Sequence, residues 1–144
     1  MRIHAGTGAT RPCIFNEMNK QILLILGDVL AIALITFIGF ASHGEGNTSF
    51  LPRMGTTFFP LLIGWFLLAP WFGLFDEDVI SNPRSFWRAP LAMLFAAPLA
   101  STLRAALLGS AAPPVFTLIL ALTSAVGVSA WRAVLGYILR SRPL

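Results

Sequence analysis

The stretch ILLILGDVLAIALITFIGF, Ile22–Phe40, decides the fold. Wound as a helix it is apolar on all sides, with one ionisable residue, Asp28. At ~1.5 Å rise per residue it is long enough to cross a ~30 Å hydrocarbon core. A helix that lies against water keeps a polar face, and this one has none. Three more such runs follow at about Thr57–Gly73, Ala89–Leu108 and Pro114–Gly136. Each holds ~17–23 residues, as a transmembrane helix requires. The expected fold is an all-α membrane protein: an antiparallel bundle of four transmembrane helices over residues 22–136, between tails at residues 1–21 and 137–144.

Composition agrees. Of the 144 residues, 56% are hydrophobic and 11% charged, against ~25% charged in ordinary globular domains. Little chain is left over for a separate soluble domain. Cys13 is the single cysteine, so an intrachain disulfide is excluded. No Cys/His spacing fits a metal framework, so neither metal nor cofactor is expected. The net charge of +4 comes from basic residues scattered in short loops. There they set topology, which argues against nucleic acid as a partner.

With four spans, the N-terminus, the second loop and the C-terminus share one side. That side carries Arg2, Arg11, Lys20, Arg84, Arg88, Arg140 and Arg142, and the other carries Arg53. The positive-inside rule therefore predicts that both termini are cytoplasmic. A cleaved leader, with Lys20 as its charged region and Gly39-Phe40-Ala41 as its cleavage site, is the competing assignment. Asp28 and the length of the apolar run argue against it. Met1–Glu17 has neither helical nor alternating periodicity and contains Gly6, Gly8 and Pro12. It is expected to be either a flexible tail or an over-extended start, with Met18 as the alternative first residue.

Small residues recur every four positions in the last two spans: Ala92, Ala96 and Ala100, then Ala121, Ala125, Ser129 and Ala133. Such stripes let helix backbones approach closely. The tight Gly109–Pro113 turn makes these spans antiparallel neighbours, which favours an internal contact over an oligomer interface. Pro98 is expected to kink the third span, and Pro113-Pro114 to open the fourth, where missing amide donors cost nothing.

Ionisable residues inside a span cost several kcal/mol and therefore point to function. There are three: Asp28, Arg104 and Arg132. Asp28 lies roughly 9 Å and Arg132 roughly 6 Å from the cytoplasmic end, whereas Arg104 is roughly 20 Å from it. An inner polar cluster of Asp28 and Arg132, with Trp131 at the interface, is therefore expected. An outer cluster of Ser42, His43, Glu45 and Arg104 is expected near the opposite face. The alternative is that both arginines snorkel to headgroups.

Ser42-His43-Gly44-Glu45-Gly46 is the densest polar motif. His43 titrates near neutral pH, and Glu45 can take a proton or pair with Arg104. One histidine and one carboxylate are too few for a metal site, and no nucleophile stands at a defined spacing from a base. The structural alternative is a helix-terminating loop. Trp65, Trp71, Trp87 and Trp131 are expected to form interfacial belts with the neighbouring phenylalanines. The acidic turn Asp76-Glu77-Asp78 is expected to be solvated.

These residues together carry a family resemblance. Gly27-Asp28 in the first span is followed by Ser42-His43-Gly44-Glu45-Gly46, and by Phe59-Pro60 with Gly64-Trp65 in the second span. Arg104, Pro114 with Phe116, and Trp131-Arg132 complete the set. Over about Ile22–Gly136 the chain resembles the small prokaryotic membrane family known as domain of unknown function three thousand and fifty-four. The resemblance implies a four-span integral protein of a prokaryotic cell membrane, with no established activity and no catalytic or binding residues to carry over. The leading expectation is a non-enzymatic accessory or assembly subunit whose partners are the lipid bilayer and other membrane subunits or itself. The alternative is a homo-oligomeric transporter or channel for a small solute, proton or lipid, gated by the two clusters. An intramembrane enzyme acting on lipid headgroups through His43 and Glu45 ranks third.

Overall fold

The fold is known from a computed structural model, which describes residues 11–42, 50–76, 79 and 82–141. Four helices account for most of them: α1 (Arg11–Ser42), α2 (Phe50–Leu68), α3 (Arg88–Leu108) and α4 (Pro114–Ser141). Each contains a stretch long and apolar enough to cross a membrane, the third counted together with the turn before it: Asn19–Ser42, Leu51–Leu68, Pro83–Leu108 and Pro114–Ile138. The chain is thus an all-helical, four-span membrane bundle. Helices neighbouring in sequence pack side by side, and α1 closes the ring against α4. The surface is apolar where lipid would touch it, with Leu26, Phe37, Ile63 and Leu118 more than half exposed.

Helix limits differ from the sequence expectation in three places. α1 begins at Arg11, so residues 11–21 are helical instead of a tail. Nothing from Cys13 to Leu26 breaks a helix, and Pro12 falls in the first turn, where it is tolerated. Propagation outward from an established helix costs little even without an apolar stripe. α2 runs Phe50–Leu68 instead of Thr57–Gly73. Its start takes Pro52 and Arg53 into the first turn, and it ends just before Pro70, which has no N–H to carry on the helical bonding. α4 continues past Gly136 to Ser141.

Beyond α2 the chain makes a tight reversal that matters later. The Gly73 N–H reaches the Pro70 carbonyl at 2.9 Å, and the Leu74 N–H reaches the Ala69 carbonyl at 3.0 Å. Gly73 takes the left-handed conformation, φ 63°, which favours glycine. The reversal tucks Leu74 into the interior, 1% exposed. A single 3-10 turn, Pro83–Ser85, then leads into α3, with the Asn82 side chain accepting from the Arg84 N–H at 3.0 Å. At the other end of α3, left-handed Gly109 frees the chain to turn. The Ser110 N–H closes the helix onto the Ala105 carbonyl at 3.0 Å.

Small residues set how closely the helices lie. Ala92, Ala96, Ala100, Ala121 and Ala125 are all buried. A Cβ on Gly64 of α2 would sit 2.8 Å from the Ala96 carbonyl oxygen, so α2 and α3 touch backbone to backbone. The third-span stripe therefore serves α2 as well as α4, and it is internal to the bundle. Ala133 departs from the expectation: it is not buried, one turn beyond half-buried Ser129. Across the ring, a side chain on Gly27 of α1 would overlap the Trp131 ring, and one on Gly127 of α4 would overlap the end of Ile35. Pro98 lies within α3.

Candidate functional site

The α2–α3 end of the bundle holds a closed polar cluster. Asp28 is one helical turn from Leu24 and one from Ile32, and all three are fully buried. That periodicity places the carboxylate on the interior stripe of α1. Arg132 approaches from α4 as a fork: Nη2 donates to Asp28 Oδ2 at 2.6 Å and Nε to Oδ1 at 3.3 Å. Two parallel donors on one carboxylate fix orientation as well as attraction, which a lysine could not do.

Two other elements complete the cage. The Trp65 Nε1–H of α2 donates to Asp28 Oδ2 at 3.1 Å. Arg132 Nη1 donates to the Leu74 carbonyl at 2.8 Å, so the reversal after α2 caps the guanidinium. The Arg132 Cζ also lies 5.3 Å from the Trp65 ring centroid and 5.9 Å from that of Phe75. Aromatic faces at such distances attract a cation. Phe75 is held in turn by stacking on Phe66 at 6.1 Å. The Asp28 side chain is 0% exposed and that of Arg132 9%. Beside Arg132 a cavity of 30 Å³, bordered by Ser85 and Ala89, has room for a water molecule.

Desolvating two charges costs several kcal/mol each, and attraction offsets that cost only when the remaining lone pairs and protons are also satisfied. Here both carboxylate oxygens accept, and Arg132 donates through Nε, Nη1 and Nη2. The cluster ties α1, α2 and α4 together and holds the reversal beneath them.

The described residues among those expected from the sequence can now be placed. Asp28 and Arg132 meet. Trp131 stands next to the pair but does not bond to it: its ring packs on Gly27, and its Nε1–H has no acceptor among the described residues. Trp65 overturns its assignment to an interfacial belt, because it is 0% exposed and part of the cluster. Its position at the centre of an apolar run was the available signal. Belts mark span ends, and a mid-span indole N–H needs an acceptor. Exposed Trp71 and Trp87 do fit a belt. The Leu74 carbonyl had no signal at all, since main-chain acceptors are invisible in a sequence.

The α1–α2 loop end is different. Arg104 lies over the Phe116 ring at 4.7 Å, and its buried Nε has no hydrogen-bond partner among the described residues. It borders an opening of 500 Å³ together with Arg53, Phe40 and Ser110. Ser42 is exposed and donates to the Gly39 carbonyl at 2.8 Å. His43 and Glu45, the remaining members of the expected outer cluster, lie outside the described residues, as do Glu77 and Asp78 of the acidic turn. No group of three metal-ligating side chains occurs among the described residues.

No curated protein and no solved structure matches the chain. A family model does match, over residues 25–135, a span that encloses Asp28, Trp65, Leu74, Arg104 and Arg132. By that match, which covers part or all of each of the four helices, the chain belongs to the family described as protein of unknown function (DUF3054).

Proposed function

We propose that this protein is a non-enzymatic accessory or assembly subunit of a larger complex in a prokaryotic cell membrane, with both termini in the cytoplasm. The observation that carries this is the closed state of the Asp28–Arg132 cluster. A proton carrier or gate needs a carboxylate that can exchange with water, and Asp28 is fully buried with both oxygens engaged. Past it, α1 turns Ile32 and Thr36 to the interior, and the Thr36 hydroxyl is spent on the Ile32 carbonyl at 2.8 Å. Among the described residues of α1, no unspent hydroxyl or charge continues the cluster toward the other end. The cluster is better suited to fixing one packing of a small bundle whose lipid-facing sides remain available to neighbours. The seven-to-one distribution of basic residues between the two sides supports the orientation.

The test is extraction at native expression level in a mild detergent, followed by native-gel and mass analysis. A fixed-stoichiometry complex with an unlike membrane subunit is the expected result. A symmetric homo-oligomer with a water-lined axis would overturn it in favour of transport. A C-terminal reporter active only in the cytoplasm checks the orientation separately.

A further inference from the structure

The α1–α2 loop end of the bundle carries two openings that share Phe40 on their borders. One is a furrow of 610 Å³ between α1 and α4, bordered by Ile35, Gly39, Phe40, Phe116, Thr123 and Val126 among others. The other is the 500 Å³ mouth that Arg53 and Arg104 line. Phe40 borders both, and Phe116 of the furrow lies directly beneath the Arg104 guanidinium. From this adjacency we propose a binding site for one anionic membrane phospholipid, its phosphate held by Arg53 and Arg104 and one acyl chain laid in the furrow.

The chemistry of the furrow selects for a hydrocarbon chain. Three threonines line it, and each hydroxyl turns back to its own helix: Thr36 to the Ile32 carbonyl, Thr57 to Arg53 and Thr123 to Ile119. With those hydroxyls spent, the threonines have little hydrogen bonding to offer a quinone, a sugar or a polar solute. The rim of the furrow includes exposed Ile38, Leu122 and Val126, so it opens sideways, where lipid tails are the solvent. Its volume is that of an ordinary ligand site, ~300–1,000 Å³.

The chemistry of the mouth selects for an anion at headgroup depth. Arg104 lies four residues before the end of α3, roughly 6 Å of helix, within reach of the interface for a long cationic side chain. Its buried Nε has a proton and no acceptor among the described residues, and the side chain borders the mouth, where a phosphate would meet the guanidinium. Arg53 brings a second guanidinium from the first turn of α2. Phosphate accepts two such forks readily. Glu45, outside the described residues, follows α1 in sequence and is the carboxylate whose competition for these cations is tested below.

The experiment is native mass spectrometry of the delipidated full-length protein in detergent, titrated with equimolar phosphatidylglycerol and phosphatidylcholine. The expected result is one phosphatidylglycerol adduct in clear preference. Arg104→Gln and Arg53→Gln should each lower its affinity roughly tenfold, the scale of one hydrogen bond to a charged group. Gly39→Leu fills the furrow and leaves the charges intact; a Cβ at Gly39 meets nothing within 4 Å, so the fold should tolerate it. It should weaken the adduct as well. Unchanged thermal unfolding of each variant confirms that the bundle is intact.

Equal binding of the two lipids would overturn the proposal. So would displacement by inorganic phosphate with Gly39→Leu silent, which means a bare-anion site, or a furrow occupied by a second copy of the chain. Phosphatidylglycerol binding that emerges only in Glu45→Gln would overturn it too, by showing that the mouth is closed from within.

Discussion

Removing Arg132 should cost far more while Asp28 is charged than after Asp28 has been replaced by asparagine. In Arg132→Leu the Asp28 carboxylate stays buried among Leu24, Ile32 and Trp65, with the Trp65 N–H as its one remaining donor among the described residues. An uncompensated buried charge of this kind costs about 3–5 kcal/mol, a large part of the ~5–15 kcal/mol that holds a typical domain together. Asp28→Asn should be milder. The amide oxygen it introduces can still accept from Trp65, and Arg132 keeps the Leu74 carbonyl and the two aromatic faces. The double variant removes both charges, so its loss should fall short of the summed single losses. The coupling should exceed ~0.6 kcal/mol, the average for interhelical hydrogen bonds in a membrane protein, and reach about 2 kcal/mol or more, as charged contacting pairs do. Reversible unfolding in mixed micelles, followed by circular dichroism, gives the four free energies. An additive cycle would refute the pair as an energetic unit, whatever its geometry.

Other consequences follow from the same packing. Trp65→Phe keeps an aromatic ring but removes the donor to Asp28, and should cost about 1.5–3 kcal/mol in the same unfolding assay. Arg132→Lys should be intermediate between wild type and Arg132→Leu, because one ammonium cannot span both Asp28 and the Leu74 carbonyl as the guanidinium does. Gly64→Ala drives a methyl group into the Ala96 carbonyl and should cost about 1–3 kcal/mol. Gly127→Ala meets only the flexible end of Ile35 and should cost clearly less, as a comparison of melting temperatures would show.

The apolar runs carried the architecture, and depth along them brought Asp28 and Arg132 to one level. Length arithmetic suffices there because a bilayer converts sequence position into height. The boundaries were harder. Hydropathy sees where lipid ends, not where the helix ends, so α1 and α4 outrun their apolar segments at the ends that carry Arg11 and Ser141. For α2 the error ran both ways: apolar Trp71, Phe72 and Gly73 read as span, whereas the regular helix had already ended at Leu68. That error hid the reversal, and with it the Leu74 carbonyl. Trp65 was misplaced for a related reason, since an aromatic residue was judged by its class and not by its depth.

The two ends of the bundle handle arginine in opposite ways, and that contrast is informative. At one end Arg132 is given a carboxylate, a carbonyl and two aromatic faces, all from the protein. At the other, Arg104 is given one aromatic face, while its buried Nε has no acceptor among the described residues. Both sit in helices that cross lipid, so both carry the same kind of desolvation cost. A bundle able to satisfy one arginine so fully from its own atoms has the means to satisfy the other. Where the described residues do not, the proposed phospholipid is the acceptor. The closed end then acts as the anchor that holds α1, α2 and α4 in register, and the open end as the surface that meets the membrane's own charge.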